Sequence, residues 1–163
     1  MHMDNVQILG FRANIDSVEK TLNRIDDIKE EDEIIQLLNA DAIASRKHVV
    51  HGVNQAFLAF ERGENLANDV SVEIALRCSA QRQISKAFKM LGLKEGKMNL
   101  CAVLINCKDY TDELSRLFTS DDSVLGPDDD ALMEIYKIGP EEIVSMSIED
   151  VIIDRITKLA VDY

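Results

Sequence analysis

Tryptophan is absent from this 163-residue chain, and tyrosine and phenylalanine bring the aromatic content to only 5%. A surface that held single-stranded nucleic acid mainly by stacking bases on rings would need more, so such a site must use Arg, Lys, amide and aliphatic contacts. Positive charge is scarce too: 18 Lys and Arg face 30 Asp and Glu, for a net charge of -12. The overall field repels polyanions, which excludes unselective binding to nucleic acid or anionic membrane; any such contact must be local. Cys78, Cys101 and Cys107 are odd in number and lack CxxC or CxxH spacing. They argue against a disulfide framework or a zinc site and are expected as small core residues. The longest apolar run, Leu100 to Ile105, has the length of a strand and not of a membrane span. With no signal peptide in view, the expected location is cytoplasmic. Met1-His2-Met3 offers two possible starts, and His2 is assigned no role.

Hydrophobic residues make up 46% of the chain, ample for one core, and residues 1–163 are expected to form a single domain. Against the acidic background, residues 71–98 carry Arg77, Arg82, Lys86, Lys89, Lys94 and Lys97 but only Glu73 and Glu95. That local excess of four positive charges leaves the remainder at -16. Positive charge gathered on one helical stretch suggests a polyanion site; a solvated helix face is the competing reading. Residues 109–134 reverse the sign, with nine acidic residues against Arg116 alone, and should avoid nucleic acid.

Periodicity and capping signals place the elements. Val6 to Ala13 reads as a strand, and Asp16 with Glu19 as a capping box for the helix that follows. Glu33 to Ala44 reads as a strand pair bent near Asn39, with a short helix as the alternative. Ser45 caps a helix closed by Gly63, whose apolar side is Val49, Val50, Val53, Ala56, Phe57 and Phe60, with His48, His51 and Gln55 facing outward. The two histidines could supply a pair of metal ligands, but no third ligand stands nearby and a polar outer face is expected. Ser71 caps the next helix, which breaks near Ser79–Gln81; a further helix ends at Gly92, with Ile84, Ala87, Phe88 and Leu91 expected in the core. Met98 to Asn106 has the continuous apolarity of a strand buried on both faces. Asp128–Asp130 follows Gly126-Pro127 and reads as the first turn of a helix and not as a cation loop. Ser147 and Asp150 start a last helix, whose apolar arc of roughly 200° exceeds what one core contact needs. Val151, Ile153 and Arg155 on that helix are the candidate partner-binding residues; the outer face of the Ser45 helix is the alternative.

No Walker loop, GxGxxG, GxSxG or HExxH motif occurs, so no catalytic residue, metal, cofactor or small-molecule substrate is assigned. The chain resembles, at Ile43-Ala-Ser-Arg-Lys-His48, Gln55-Ala56-Phe57, Ser71-Val-Glu-Ile-Ala-Leu-Arg77, Gln81-Arg-Gln-Ile-Ser-Lys-Ala87 and Leu91-Gly92-Leu93, the tRNA-binding KEOPS subunit family, whose animal member is TPRKB. The likeness covers most of residues 40–106 and is looser at the N-terminal strand-helix and at Glu149 to Ile156; it suggests an archaeal-type member. It implies a single two-layer α+β domain, its small, mostly antiparallel sheet covered by helices. It also implies a non-catalytic subunit that binds the kinase-like ATPase subunit and recruits tRNA by its 3′ end for threonylcarbamoyladenosine formation beside the anticodon. Arg77, Gln81, Arg82, Gln83, Lys86, Lys89 and Lys97 are the expected RNA-binding residues, from the basic stretch that the resemblance covers. A small cytoplasmic enzyme of unrecognised type, or an adaptor that never touches RNA, are the alternatives.

Overall fold

A computed structural model describes residues 3–161; Met1 and His2, on which the reading of the chain start falls, lie outside the described residues. β1 (Val6–Ile15) runs into Ser17, whose hydroxyl accepts from the Lys20 N–H and caps α1 (Val18–Ile28), one residue beyond the expected Asp16. β2 (Ile34–Asn39) gives way to a 3-10 turn, Ala40–Ala42. The expected second strand is absent there because the Asn39 side chain accepts from the Asp41 N–H and donates to Met90 O, which winds the backbone into a turn. Ser45 caps α2 (Arg46–Arg62) through the His48 N–H, and Gly63, at φ 70°, closes it in the left-handed region.

Asp69, and not Ser71, caps α3 (Val70–Ser79), its carboxylate accepting from the N–H groups of Ser71 and Val72. A charged acceptor at a helix N-terminus also complements the dipole, which a serine does not. Ala80 breaks the chain before α4 (Ile84–Leu91), and β3 (Gly96–Ile105) follows. α5 (Thr111–Leu117) and the two-residue β4 (Thr119–Ser120) are additions to the expected elements, drawn from the acidic stretch. Asp128 caps α6 (Asp129–Tyr136) by accepting from the Ala131 N–H, as the helix-start reading of Asp128–Asp130 requires. α7 (Ile148–Leu159) is capped by Ser147 through the Asp150 N–H.

The strands form one antiparallel sheet in the order β2-β3-β1-β4, so the domain is α+β with a small antiparallel sheet. Side chains of β3 alternate between two apolar clusters: Cys101, Val103 and Ile105 meet α2, α6 and α7, while Leu100, Ala102 and Leu104 meet Phe11, Ile25, Tyr110 and Leu114. Helices therefore lie on both sheet faces, three layers in place of the expected two, which is why β3 reads as unbroken apolar sequence. Beneath α5, Glu33 is buried and accepts from the Tyr110 hydroxyl and from the Glu30 and Lys108 N–H groups. Burial opposes its charge, but these donors outweigh it and hold the carboxyl below its usual range.

α2 and α3 cross so closely that a Cβ on Gly52 would stand 2.4 Å from Cys78 Sγ. His48, Gly52, Ala56 and Ala59 make a second buried stripe along α2, against which α3 packs. The outward placement of His48 is thus corrected: it is 0% exposed. Its Nδ1 accepts from the Ala44 N–H at 3.0 Å, which puts the ring proton on Nε2, and that nitrogen donates to Cys78 O at 2.7 Å. The Tyr136 hydroxyl donates to Ala42 O at 2.6 Å and also lies 3.2 Å from Cys78 O. Burial lowers His48 from 6.5 to about 4, so it is neutral near pH 7. Between those values the unfolded chain binds more protons than the folded one; the stability from neutral His48 is full above pH 6.5 and lost as pH falls towards 4. Urea denaturation at about pH 4.5 and near pH 7 should differ by about 2–3 kcal/mol more in the parent than in His48→Gln, and superimposable pH profiles would contradict this assignment.

Candidate nucleic-acid interface

α4, the turn after it and the end of α6 surround an open groove of about 780 Å³. Lys86 and Lys89 enter it from one face of α4, as their spacing predicts, and Lys94 comes from the following turn. Lys137 closes the opposite side. It ends α6 in the left-handed conformation at φ 53°, which carries the chain around the groove. Four lysines thus converge where the acidic lining is Asp41 and Glu134. Gln81 lines the same groove, and Gln83 stands exposed at the start of α4 with no capping bond from its side chain.

Lys97 occupies an adjoining surface. Cross-strand pairing sets it opposite Asn14, and it shares a shallow depression of about 510 Å³ with Arg12, Asn99 and Asp41. Asp41 lines both hollows, so the basic strip runs from Lys86 and Lys89 past Lys94 to Lys97 and Arg12. Three basic residues of the two hollows lay outside the expected set: Lys94, Lys137 and Arg12, the last of them paired with Asp121. Lys94 belongs to the basic stretch of sequence, but Lys137 sits in an acidic one and no local pattern marks it.

Two expected RNA contacts are used inside the protein. Arg77 is 2% exposed, and its Nε donates to Glu73 Oε2 at 2.8 Å across one turn of α3. Glu73, itself fully buried, accepts from the Ala67 N–H with its other oxygen, while Arg77 Nη2 reaches Glu64 O. Arg77 is therefore corrected from an RNA-facing residue to the clamp that holds the 63–69 loop against α3. Its i, i+4 spacing from Glu73 is legible in the sequence; its burial is not. Arg82 stays at the surface but donates to Leu159 O at 3.2 Å, where a cation complements the C-terminal end of α7.

The candidate partner residues of α7 divide similarly. Val151 is 6% exposed and packs with Ile148, Ile152 and Ile156 in the core, which removes it from the outer surface. Arg155 donates to Tyr136 O at 2.6 Å and to Glu142 Oε1 at 2.9 Å, tying α7 to the end of α6. Glu142 also accepts from the Gly139 N–H, and these donors keep its carboxyl below the usual range. Ile153 is half-buried and still reachable. Sequence reasoning missed Val144, 83% exposed, and Met146, just before the helix. α2 lies beside α7, joined by His51 Nε2 and Thr157 Oγ1 at 2.8 Å, so the two alternative partner faces adjoin.

Other expected core positions differ in burial. Phe88 and Ile84 are 40% and 48% exposed, against the expectation of core positions, because α4 buries only Ala87 and Leu91. No cluster of three or more His, Cys, Asp or Glu side chains suited to a metal occurs among the described residues, and none of their helices is long and apolar enough to cross a membrane. Removing one half of the buried ion pair gives a direct test of Arg77. Arg77→Ala should cost about 3–5 kcal/mol in urea denaturation by leaving Glu73 uncompensated, and Glu73→Leu with Arg77→Met should recover much of it. Lost RNA affinity at unchanged stability would put Arg77 back at the surface.

The chain matches the family described as "Kinase binding protein CGI-121" over residues 13–158. It is also similar to the "Regulatory protein Cgi121" of Methanocaldococcus jannaschii, with 37% identity over 111 residues, covering 63% of this chain and 70% of that protein. The family match takes in most of the sheet, the lysine groove and nearly all of α7, and with it this chain belongs to the CGI-121 family as an archaeal-type member.

Proposed function

We propose that this protein is a non-catalytic subunit of the KEOPS complex that binds the kinase-like ATPase subunit and recruits tRNA through its 3′ end for threonylcarbamoyladenosine formation. The observation that carries the RNA reading is the convergence of Lys86, Lys89, Lys94 and Lys137 on one groove of a chain with net charge -12. A short single-stranded tail can enter such a groove, while the surrounding negative surface keeps longer RNA from binding elsewhere. The family's description as kinase binding supports the protein partner. Holding one end of the substrate raises the effective concentration of the rest at a distant catalytic subunit, which needs no reacting group here. The setting for this role is the cytoplasm.

Reversal of Lys86, Lys89 and Lys97 to Glu should weaken tRNA binding by about tenfold or more and lower the log–log salt slope by about 2, as expected for single-stranded contacts at ~0.7 per phosphate. Arg82→Gln is the comparison, since its cation serves Leu159 O. Removal of the tRNA 3′ end should give a comparable loss with the parent protein. Unchanged affinity of the triple variant, or equal binding of intact and truncated tRNA, would overturn the groove assignment.

For the kinase-like subunit, the reading favours the surface formed by α7 and α2, with Ile153 as its reachable apolar residue. Ile153→Glu should abolish co-purification, because a charge in an interface centre typically costs ~2 kcal/mol or more. Its half-buried position leaves the fold intact in circular dichroism. Undiminished co-purification of a folded variant would move the partner to another face.

A further inference from the structure

β2 is an outer strand of the sheet, and the space beside it is not filled. A groove of about 660 Å³ runs along Ile34–Leu38, walled on one side by α1 and on the other by the start of α3 and the end of α4. Leu22 of α1 and Phe88 of α4 stand at its rims, 45% and 40% exposed. These two apolar side chains are left over by the core on opposite sides of one cleft. This is also where the expected core position of Phe88 failed.

Three features define what fits. An edge strand leaves half of its N–H and C=O groups aimed outward, a template for another extended chain. Six residues of β2 at ~3.3 Å each span roughly 20 Å, the length of a short added strand. The groove's charged lining is Asp26, Glu31, Glu33 and Asp69 against Lys29 alone, and Glu33 is engaged by Tyr110 and two backbone donors. That acidic lining repels RNA, and a second copy of this acidic chain would set like charges against each other. The complement is an extended segment that carries apolar and basic side chains on both of its faces.

We propose that the groove beside β2 docks such a segment from a partner protein, which adds to the sheet as a further strand. The main-chain groups of β2 supply the hydrogen bonds; Leu22 and Phe88 grip apolar side chains on the two opposite faces of the added strand. Asp26, Glu31 and Asp69 select the basic ones. This site is separate from the lysine groove and from the α7–α2 surface, so its failure leaves the proposed function untouched.

The test is selection from a displayed library of short random peptides against the full chain, followed by synthesis of the enriched sequences. Enrichment of peptides that combine apolar and basic residues on each face of an extended strand is expected, with slowed amide exchange at Ile35–Leu38 on binding. Leu22→Asp with Phe88→Asp, and independently Asp26→Lys with Glu31→Lys, should each weaken binding by about tenfold or more. All four positions are exposed, so the fold is retained. N-methylation at alternate peptide amides should abolish binding, since an added strand needs its main-chain donors. Enriched peptides that lack basic or apolar residues, protection mapped to another face, affinity indifferent to both variant pairs, or survival of binding after N-methylation would each overturn the proposal. So would a β2-mediated dimer of the protein in solution.

Discussion

The tertiary structure hangs on one buried imidazole. His48 uses both ring nitrogens, accepting from the turn before α2 and donating to the last turn of α3, and the Tyr136 hydroxyl joins the same carbonyl from α6. A ring so placed cannot carry a second proton without losing its acceptor role, so neutrality is part of the fold. Tyr136 then passes the constraint on: its hydroxyl holds Ala42 O, and its own carbonyl receives Arg155 from α7. Together with buried Leu132 and Ile138, this knot seats α6 and so sets Lys137 opposite Lys86, Lys89 and Lys94.

The second constraint is electrostatic. A chain with 30 acidic residues places two charged side chains, Glu73 and Arg77, in a helix that is buried on all sides. An isolated charge there would cost several kcal/mol; paired, and with the Ala67 N–H and Glu64 O on its flanks, the couple is satisfied. Its structural effect is to pin the loop between α2 and α3. That loop leads to Asp69, which caps α3 and edges the groove beside β2.

The candidate surfaces of this small domain differ in charge. Lysines from three separate segments line one groove, acids mark the groove along the sheet edge, and the helix pair α2–α7 presents mixed polar and apolar residues. The same division makes a net charge of -12 compatible with the proposed RNA role, in which the far field would discriminate and the local lysines would attach.

How much of this was readable beforehand follows from what a one-dimensional pattern contains. Ser45, Ser147 and Asp128 name the starts of α2, α7 and α6, because a capping oxygen acts within three residues of itself. The unbroken apolar run of β3 announces a strand covered on both faces, and the likeness of residues 40–106 carries the family and its α+β class. Lys86 and Lys89 could be placed together because they share a helix face. Periodicity says which residues share a face, however, not which neighbour covers it. So Arg77 and His48 read as surface residues until α2 and α3 are seen to cross at Gly52, and Phe88 read as core although no element reaches it. Val151 faced inward for the same reason, and Lys137 joined the basic groove across distant sequence. Local chemistry determined the elements; only packing between elements decided which charges were spent inside and which were left for a partner.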